Sequence, residues 1–247
     1  MNSHIRLKNV SLEFEIYHNK TSSLKELFSN LFTDDNNTPK EKFKALSEIN
    51  LEIFHGDRIG IIGHNGAGKS SLLKTLCKIY SPTSGTVEVV GHVAPLLEIG
   101  AGFNAELSGR ENIYLNGTIL GYTTKQIKTI EKDIIEFSEL EQFIDMPVKY
   151  YSTGMYMKLA FSIATAVKPE ILVLDELFAG GDAEFIQKAQ KRMKDIIAGS
   201  SIMVFVSHQL ELLSELCNRV IWLDHGTIIE DGEPKKVISK YLEKYQD

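Results

Sequence analysis

Two hydrophobic patterns alternate along the chain, one repeating every second residue and one repeating with the period of an α-helix. The first pattern is typical of half-buried strands and the second of amphipathic helices. We predict strands at positions 10–16, 49–53, 59–62, 171–174, 202–206 and 220–223. We predict helices at 70–79 and 234–245 and a mainly helical stretch at about 104–166. Strands that alternate with helices in this way indicate an α/β fold, with helices on the faces of a sheet.

A different pattern separates the first two predicted strands. Ser23 and Glu26 have the spacing of a helix capping box, and apolar residues follow at helical intervals as far as Phe32. A polar loop at 34–39 comes next, so we predict an amphipathic insertion at about 18–44. Its apolar face either packs on the sheet or lies against a membrane or a partner, and the sequence supports both interpretations about equally.

Composition excludes several classes of protein. The 247 residues carry a formal net charge of −6, and 43% of them are hydrophobic, which excludes a disordered chain. The acidic balance argues against duplex nucleic acid as the main partner. The longest stretch without charged residues, 196–210, is too short to span a membrane, and the N-terminus lacks a signal core. Cys77 and Cys217 have the apolar neighbours of reduced core residues, so we expect a cytoplasmic protein.

The strongest chemical signal follows the predicted strand at 59–62. A glycine-rich segment there matches G-x-x-x-x-G-K-[S/T] and opens a helix, which is the context of a phosphate-binding loop. Its backbone N–H groups and helix N-terminus would converge on phosphate oxygens, Lys69 would reach the β- and γ-phosphates, and the Ser70 hydroxyl would ligate Mg²⁺. We assign nucleotide binding to this segment, whose residues are Gly63, His64, Asn65, Gly66, Ala67, Gly68, Lys69, Ser70 and Ser71.

A second signal closes the apolar run at 171–174, which ends in Asp175 and Glu176. The C-terminal end of a buried strand faces the ligand crevice of an open α/β sheet. We therefore predict that Asp175 holds Mg²⁺, directly or through water, and that Glu176 polarises the attacking water. The motif is weak alone and becomes strong beside the phosphate loop.

Three further groups occur in a fixed order along the chain. Ser152, Thr153 and Gly154 precede a helix rich in small residues, Asp182 follows the two carboxylates, and His208 follows the next strand. The complete ordered set resembles the ATP-binding cassette (ABC) ATPase family over nearly the whole chain. The resemblance implies a P-loop NTPase of the ABC ATPase type, with a mixed-sheet core, a helical signature subdomain and a small N-terminal antiparallel β region.

The resemblance also implies roles for these residues. In the family, two cassettes enclose two ATP molecules head to tail, so that Ser152–Gly154 of one subunit would cap the γ-phosphate held by the other. His208 would be the switch histidine that contacts the γ-phosphate, and Asp182 would join the nucleotide site. The signature segment Tyr151–Met155 reads Y-S-T-G-M instead of the common L-S-G-G-Q. In this form it resembles the subfamily that exports bacterial cell-surface polysaccharides.

Two assignments are more specific to this chain. Glu98 stands where most cassettes carry glutamine, as in the polysaccharide exporters, and could ligate Mg²⁺ or be an exposed surface residue. An adenine-stacking aromatic is expected from the first strand. Phe14 shares the phase of the core residues, whereas Tyr17 has the opposite phase at the strand end, so we choose Tyr17 and keep Phe14 as the alternative.

The resemblance implies a homodimeric ATPase subunit at the cytoplasmic face of the bacterial inner membrane, working with ATP, Mg²⁺ and a separate multi-helix permease. Its cargo would be a lipid-linked polysaccharide such as O-antigen, capsule or teichoic acid. We expect one nucleotide-binding domain over 1–247, with no C-terminal carbohydrate-binding domain. The alternatives are the ATPase of another ABC transporter and a non-transport cassette, although the chain lacks the second cassette or long coiled coil usual in the latter.

Overall fold

The computed structural model of the chain describes residues 3–16, 41–97, 99–175 and 182–245. Two sheets organise these residues. The larger has six strands in the order β5-β6-β7-β3-β8-β9, and all neighbouring strands are parallel except β9, which is antiparallel to β8. Its strands are β3 (Arg58–Ile62), β5 (Val93–Leu96), β6 (Ile171–Asp175), β7 (Ile202–Val206), β8 (Arg219–Asp224) and β9 (Thr227–Gly232). The predicted strands at 59–62, 171–174, 202–206 and 220–223 are confirmed.

The smaller sheet is antiparallel and has the strand order β2-β1-β4. It consists of β1 (His4–Ile16), β2 (Glu41–Phe54) and β4 (Ser84–Val90). Residues 41–44, which the sequence analysis placed in the insertion, belong to β2, where Lys42 and Lys44 are paired with Glu15 and Glu13. Two lysines at alternate positions hid this extension, because they lie on the solvent side of the strand. The remainder of the predicted insertion lies outside the described residues.

Helices cover the larger sheet and form a separate layer beside it. They are α1 (Lys69–Leu76), α2 (Gly109–Ile119), α3 (Thr124–Ser138), α4 (Thr153–Ala164), α5 (Ala183–Gly199), α6 (Leu210–Leu216) and α7 (Pro234–Tyr245), with a 3₁₀ turn at Val148–Tyr150. The predicted helical stretch at about 104–166 contains α2, α3 and α4. Capping boxes start α2 at Ser108 and α3 at Thr123, where each side chain accepts a hydrogen bond from the backbone N–H three residues on.

Three hydrophobic clusters hold these layers together. The first joins the smaller sheet to one face of the larger, the second fills the opposite face under α4, α5 and α7, and the third lies inside the helical layer. Ile127 and Ile134, which lie two turns apart on one face of α3, belong to the third. Cys77 and Cys217 are free, and burial raises the pKa of both thiols to about 12, as expected for reduced core residues. No helix in the described part of the chain combines the length and the apolar character needed to cross a membrane.

Candidate nucleotide-binding site

The phosphate loop connects the buried strand β3 to helix α1, and its backbone depends on glycine. Gly68 has φ +103°, and a Cβ there would lie 2.7 Å from the carbonyl oxygen of Ala45. A Cβ on Gly63 would lie only 2.2 Å from the carbonyl oxygen of Leu223. Because both contacts are with backbone, no side-chain movement could relieve them. The glycines therefore let the loop pack against its own core, while Gly66 and Gly68 line an open cavity on its other side.

Lys69, the first residue of α1, folds back over this loop. Its Nζ donates hydrogen bonds to the carbonyl oxygens of Gly63 at 2.7 Å and His64 at 3.0 Å. Partial burial lowers the pKa of Lys69, and the negative charge of Asp175 opposes that shift. A lysine so placed is held at the mouth of the loop and can exchange its two carbonyl partners for phosphate oxygens.

A cavity of about 510 Å³ opens over the loop. It brings together the loop, the ends of β6 and β7, and one edge of the smaller sheet. The described residues that line it are Phe43, Ala45, Asn65, Gly66, Gly68, Lys69, Ser70, Ser71, Leu97, Asp175, Val206 and His208. Asp175 is paired in register with Val206, so the two neighbouring strands end at the same level and deliver Asp175 and His208 to one cavity.

The donor set in this cavity suits a nucleotide with Mg²⁺. Ser70 supplies a hydroxyl oxygen and Asp175 a carboxylate oxygen, and hard divalent cations prefer oxygen ligands of this kind. Asp175 is only half-buried at the strand end, which leaves its carboxylate accessible from the cavity. These residues fit the cofactor that the sequence predicts.

The signature residues lie elsewhere, at the N-terminal end of α4. Ser152 caps this helix, and its hydroxyl accepts a hydrogen bond from the N–H of Met155 at 3.2 Å. The nearest described atom to a Cβ built on Gly154 would be Ser152 Oγ at 3.9 Å, so Gly154 faces open space. None of Ser152, Thr153 and Gly154 is among the described residues that line the cavity. Within one chain, the fold therefore keeps the signature apart from the phosphate loop.

Asp182 is directed toward the signature helix. It caps α5 by accepting a hydrogen bond from the N–H of Phe185 at 2.9 Å, and its other carboxylate oxygen pairs with Lys158 of α4 at 2.7 Å. Lys158 also pairs with Glu139 at 2.9 Å. The hydrogen bond from Lys158 lowers the pKa of both carboxyl groups. Asp182 thus connects the N-terminal end of α5 to α4, the helix that begins with the signature.

A second connection reaches α4 from the segment that contains Glu98. The hydroxyl of Tyr156 donates to the carbonyl oxygen of Gly100 at 2.8 Å, and its ring lies 4.8 Å from that of Phe103. Gly100 has φ +86°, and a Cβ there would meet the Tyr156 ring at 2.7 Å. The loop beside Glu98 is therefore anchored on the signature helix.

The predicted residues Tyr17, Glu98 and Glu176 lie outside the described residues. Phe14 is half-buried, and its ring contacts Tyr80 edge-on at a centroid distance of 5.4 Å. It is not among the described residues that line the cavity. Phe43, directly opposite Phe14 in the strand pair, does line the cavity and is about half exposed.

Sequence reasoning missed Phe43 because it lies among the lysines of the supposed insertion. It also assigned His64 only to the phosphate loop, whereas His64 Nε2 lies 2.8 Å from Asp224 at the end of β8. The contact joins residues 160 positions apart. Only the order of strands in the sheet brings them together.

Comparison with known proteins identifies the family. The family model described as "ABC transporter" matches residues 46–179. The O-antigen export system ATP-binding protein RfbE of Yersinia enterocolitica is 44% identical over 91% of this chain and 96% of its own length. RfbB of Klebsiella pneumoniae, with the same description, is 38% identical over 96% of each chain. The teichoic acids export ATP-binding protein TagH of Enterococcus faecalis is 41% identical over 96% of this chain and 52% of its own length.

Solved structures agree on the fold. The dimeric ATP-binding cassette MJ0796, in a post-hydrolysis state with ADP and Pi, superposes with a TM-score of 0.65 at 19% identity, covering 93% of this chain and 98% of that one. At this identity the likeness concerns the fold alone. The matched family model spans the phosphate loop, the signature helix and the strand that ends in Asp175. The chain is a member of the ABC transporter family.

Proposed function

We propose that this chain is the ATP-hydrolysing subunit of a transporter that exports a lipid-linked cell-surface polysaccharide. One observation carries the ATPase part: Lys69 and Ser70 of α1, Asp175 at the end of β6 and His208 after β7 line a single cavity over the phosphate loop. The cargo class is supported by the O-antigen and teichoic acid export relatives, which match nearly the whole chain. It is also supported by the Y-S-T-G-M form of the signature.

In the proposed mechanism the phosphate loop and Lys69 bind the β- and γ-phosphates of ATP. Ser70 and Asp175 would hold Mg²⁺, with Glu98 as a further candidate ligand, and the ion would neutralise charge on the phosphate oxygens. Glu176, directly after Asp175 in the chain, would orient the attacking water or accept its proton. His208 would donate a hydrogen bond to the γ-phosphate from the end of β7.

A second copy of the chain would complete the site. Ser152, Thr153 and Gly154 lie at a helix N-terminus, a position that favours negative charge, and they are not among the described residues that line the cavity of their own chain. We propose a head-to-tail homodimer in which each signature caps the γ-phosphate bound by the partner. A separate multi-helix permease would hold the dimer at the cytoplasmic face of the inner membrane.

The adenine base would stack near the edge of the smaller sheet. Phe43 lies on β2, an edge strand of this sheet, and lines the cavity, and Tyr17 is the residue that follows β1 in the chain. We retain Tyr17 as the stacking residue and add Phe43 as an aromatic wall of the base site. Replacing a stacked aromatic by alanine costs about 1–3 kcal/mol.

The decisive experiment replaces the wild-type protein by the Glu176→Gln variant in the host bacterium. It then measures the amount of lipid-linked glycan in the membrane fractions and the amount exposed at the cell surface. The loss of hydrolysis should leave full-length glycan on the cytoplasmic side and deplete the surface. Glu215→Gln, an exposed glutamate on α6, is the matched control and should leave export unchanged.

The purified variant separates the two parts of the proposal. Glu176→Gln should bind ATP, form a stable dimer and hydrolyse ATP at least about 100-fold more slowly. Slow hydrolysis with normal surface glycan would refute the polysaccharide cargo and favour another ABC transporter. Rapid hydrolysis by the variant would refute the role of Glu176.

A further inference from the structure

Beside the phosphate loop, a group of side chains surrounds the carboxylate of Asp224, which is buried at the end of β8. Its Oδ1 lies 2.8 Å from His64 Nε2 and 2.7 Å from His225 Nδ1. Its Oδ2 accepts a hydrogen bond from Lys244 Nζ of α7 at 2.8 Å. The ATPase mechanism above leaves His225 and Asp224 without a role.

Hydrogen bonding of a neutral His64 ring does not explain its contact with Asp224. Nδ1 lies 2.6 Å from the carbonyl oxygen of Asn65, which can only accept, so Nδ1 carries a proton. In the neutral ring Nε2 then has a lone pair, yet it faces a carboxylate oxygen. A cation between Nε2 and Oδ1, either a proton on the ring or a metal ion, would satisfy both atoms.

The identity of residue 225 is also unexplained by its turn. His225 and Gly226 connect β8 to β9, and both have positive φ, 44° and 75°. Such a two-residue hairpin turn favours Asn-Gly, because asparagine tolerates this conformation better than most residues. A histidine there accepts a less favourable backbone and directs Nδ1 at Asp224.

We propose that His64 Nε2, His225 Nδ1 and Asp224 Oδ1 form a binding site for a transition-metal dication, with Zn²⁺ as the reference ion. Two imidazoles and one carboxylate suit this class of ion and not Mg²⁺, which prefers oxygen ligands. All three ligand atoms lie within 4.8 Å of one another. Tetrahedral Zn²⁺ with bonds of about 2.0–2.1 Å separates its ligands by roughly 3.3 Å. The distances of 2.8 Å and 2.7 Å from the two imidazole nitrogens to Oδ1 would therefore each lengthen by about half an ångström to admit the ion.

Three features around the site affect metal binding. The hydrogen bond from His64 Nδ1 to Asn65 fixes the tautomer that leaves Nε2 free to bind a metal, as outer partners of metal-binding histidines do. Lys244 occupies Oδ2 and leaves Oδ1 to the metal, although its charge weakens binding. His225 is exposed, which provides an entry path from solvent. A bound ion would link the phosphate loop to the β8–β9 turn.

The test uses the full-length, tag-free protein without nucleotide, titrated with ZnCl₂ in a calorimeter. Wild type should bind one Zn²⁺ per chain, and His225→Asn should bind at least tenfold more weakly. Asparagine suits the turn, so this variant should fold at least as well as wild type. His55→Asn, which removes an exposed histidine from the turn between β2 and β3, is the matched control and should bind like wild type.

A second measurement reports the location of the ion. Trp222 is the only tryptophan of the chain, and Lys244 Nζ lies 5.0 Å from its ring centroid while contacting Asp224. Ni²⁺, which quenches nearby indoles, should quench Trp222 fluorescence in wild type and His55→Asn but not in His225→Asn. Absence of Zn²⁺ binding up to about 0.1 mM, or equal binding by wild type and His225→Asn, would overturn the site.

Discussion

The phosphate loop and the signature segment both place glycine at the start of a helix, yet the fold treats them differently. In the phosphate loop, Cβ atoms on Gly63 and Gly68 would collide with backbone oxygens of the same chain. In the signature, a Cβ on Gly154 would meet only Ser152 Oγ at 3.9 Å. Internal packing requires glycine at positions 63 and 68, whereas nothing in the described part of the chain requires glycine at position 154.

This difference shows where each segment has its partner. Contacts within the fold are enough to explain why Gly63 and Gly68 are glycines, even though the same loop also binds a ligand. A glycine in open space near a helix N-terminus, two residues after a capping serine, leaves room for a group from outside the chain. The contrast therefore favours the head-to-tail dimer, and the following variants test it.

The largest effect is expected for Lys69→Ala, which removes the one lysine that lines the cavity among the described residues. The loss of its charge-assisted bonds to phosphate should weaken ATP binding at least about 100-fold. Lys74→Ala, in the last turn of the same helix, is the control and should bind like wild type. Equilibrium binding of a fluorescent ATP analogue measures both, and unchanged affinity of Lys69→Ala would contradict the loop assignment.

Gly154→Ala should separate function from stability. The added methyl would occupy the space proposed for the partner's nucleotide. The rate of ATP hydrolysis should therefore fall about tenfold to 100-fold. The free energy of unfolding should stay constant or rise by about 0.5 kcal/mol, because alanine favours the helix. Gly199→Ala, with similarly open surroundings at the end of α5, should retain hydrolysis. Normal hydrolysis by Gly154→Ala would contradict the interpretation that Gly154 leaves room for the partner's nucleotide.

Gly68→Ala should show the opposite behaviour. Its positive φ and the 2.7 Å approach to the Ala45 carbonyl oxygen should lower the free energy of unfolding by about 2–3 kcal/mol. Gly121→Ala has a similar φ of +87° but no described neighbour within 4 Å, so it should lose only about 1 kcal/mol. Urea unfolding of the two variants distinguishes backbone strain from collision, and equal losses would contradict the packing argument.

The smallest effect concerns the ion pairs that join α4 to α5. Lys158 lowers the pKa of Glu139 and Asp182 below their ordinary values of 4.5 and 3.8. The pairs therefore stabilise the fold above about pH 4.5, and this contribution disappears as the pH falls through the lowered pKa values. Lys158→Met should lower the free energy of unfolding only slightly at pH 7, since both carboxylates are substantially exposed and solvent screens the pairs.

The measurement is urea unfolding of wild type and Lys158→Met at pH 7 and at about pH 3. The difference in unfolding free energy should shrink at the lower pH. Lys194→Met, an exposed lysine on α5, controls for the loss of a charge and should show no such dependence. A difference that grows on acidification would contradict the assigned pairs.

Local patterns predicted most of this architecture correctly. The buried strands at 59–62 and 202–206 were evident from short apolar runs, since strands buried on both faces have few polar positions. The motif from Gly63 to Ser71 was evident because its residues are adjacent in the chain. Strands β4 and β5 were not predicted, because their residues alternate weakly and because β4 contains Gly85 and β5 contains Pro95.

The sequence by itself therefore determined the family, the phosphate loop and the order of the catalytic motifs, because each of these is written in neighbouring residues. Only the tertiary structure decided which distant groups meet: Phe43 at the cavity, Lys158 with Asp182, and His64 with Asp224 and His225. The physical reason is that strand order and helix packing bring together residues far apart in the chain. A local pattern carries no information about such pairs.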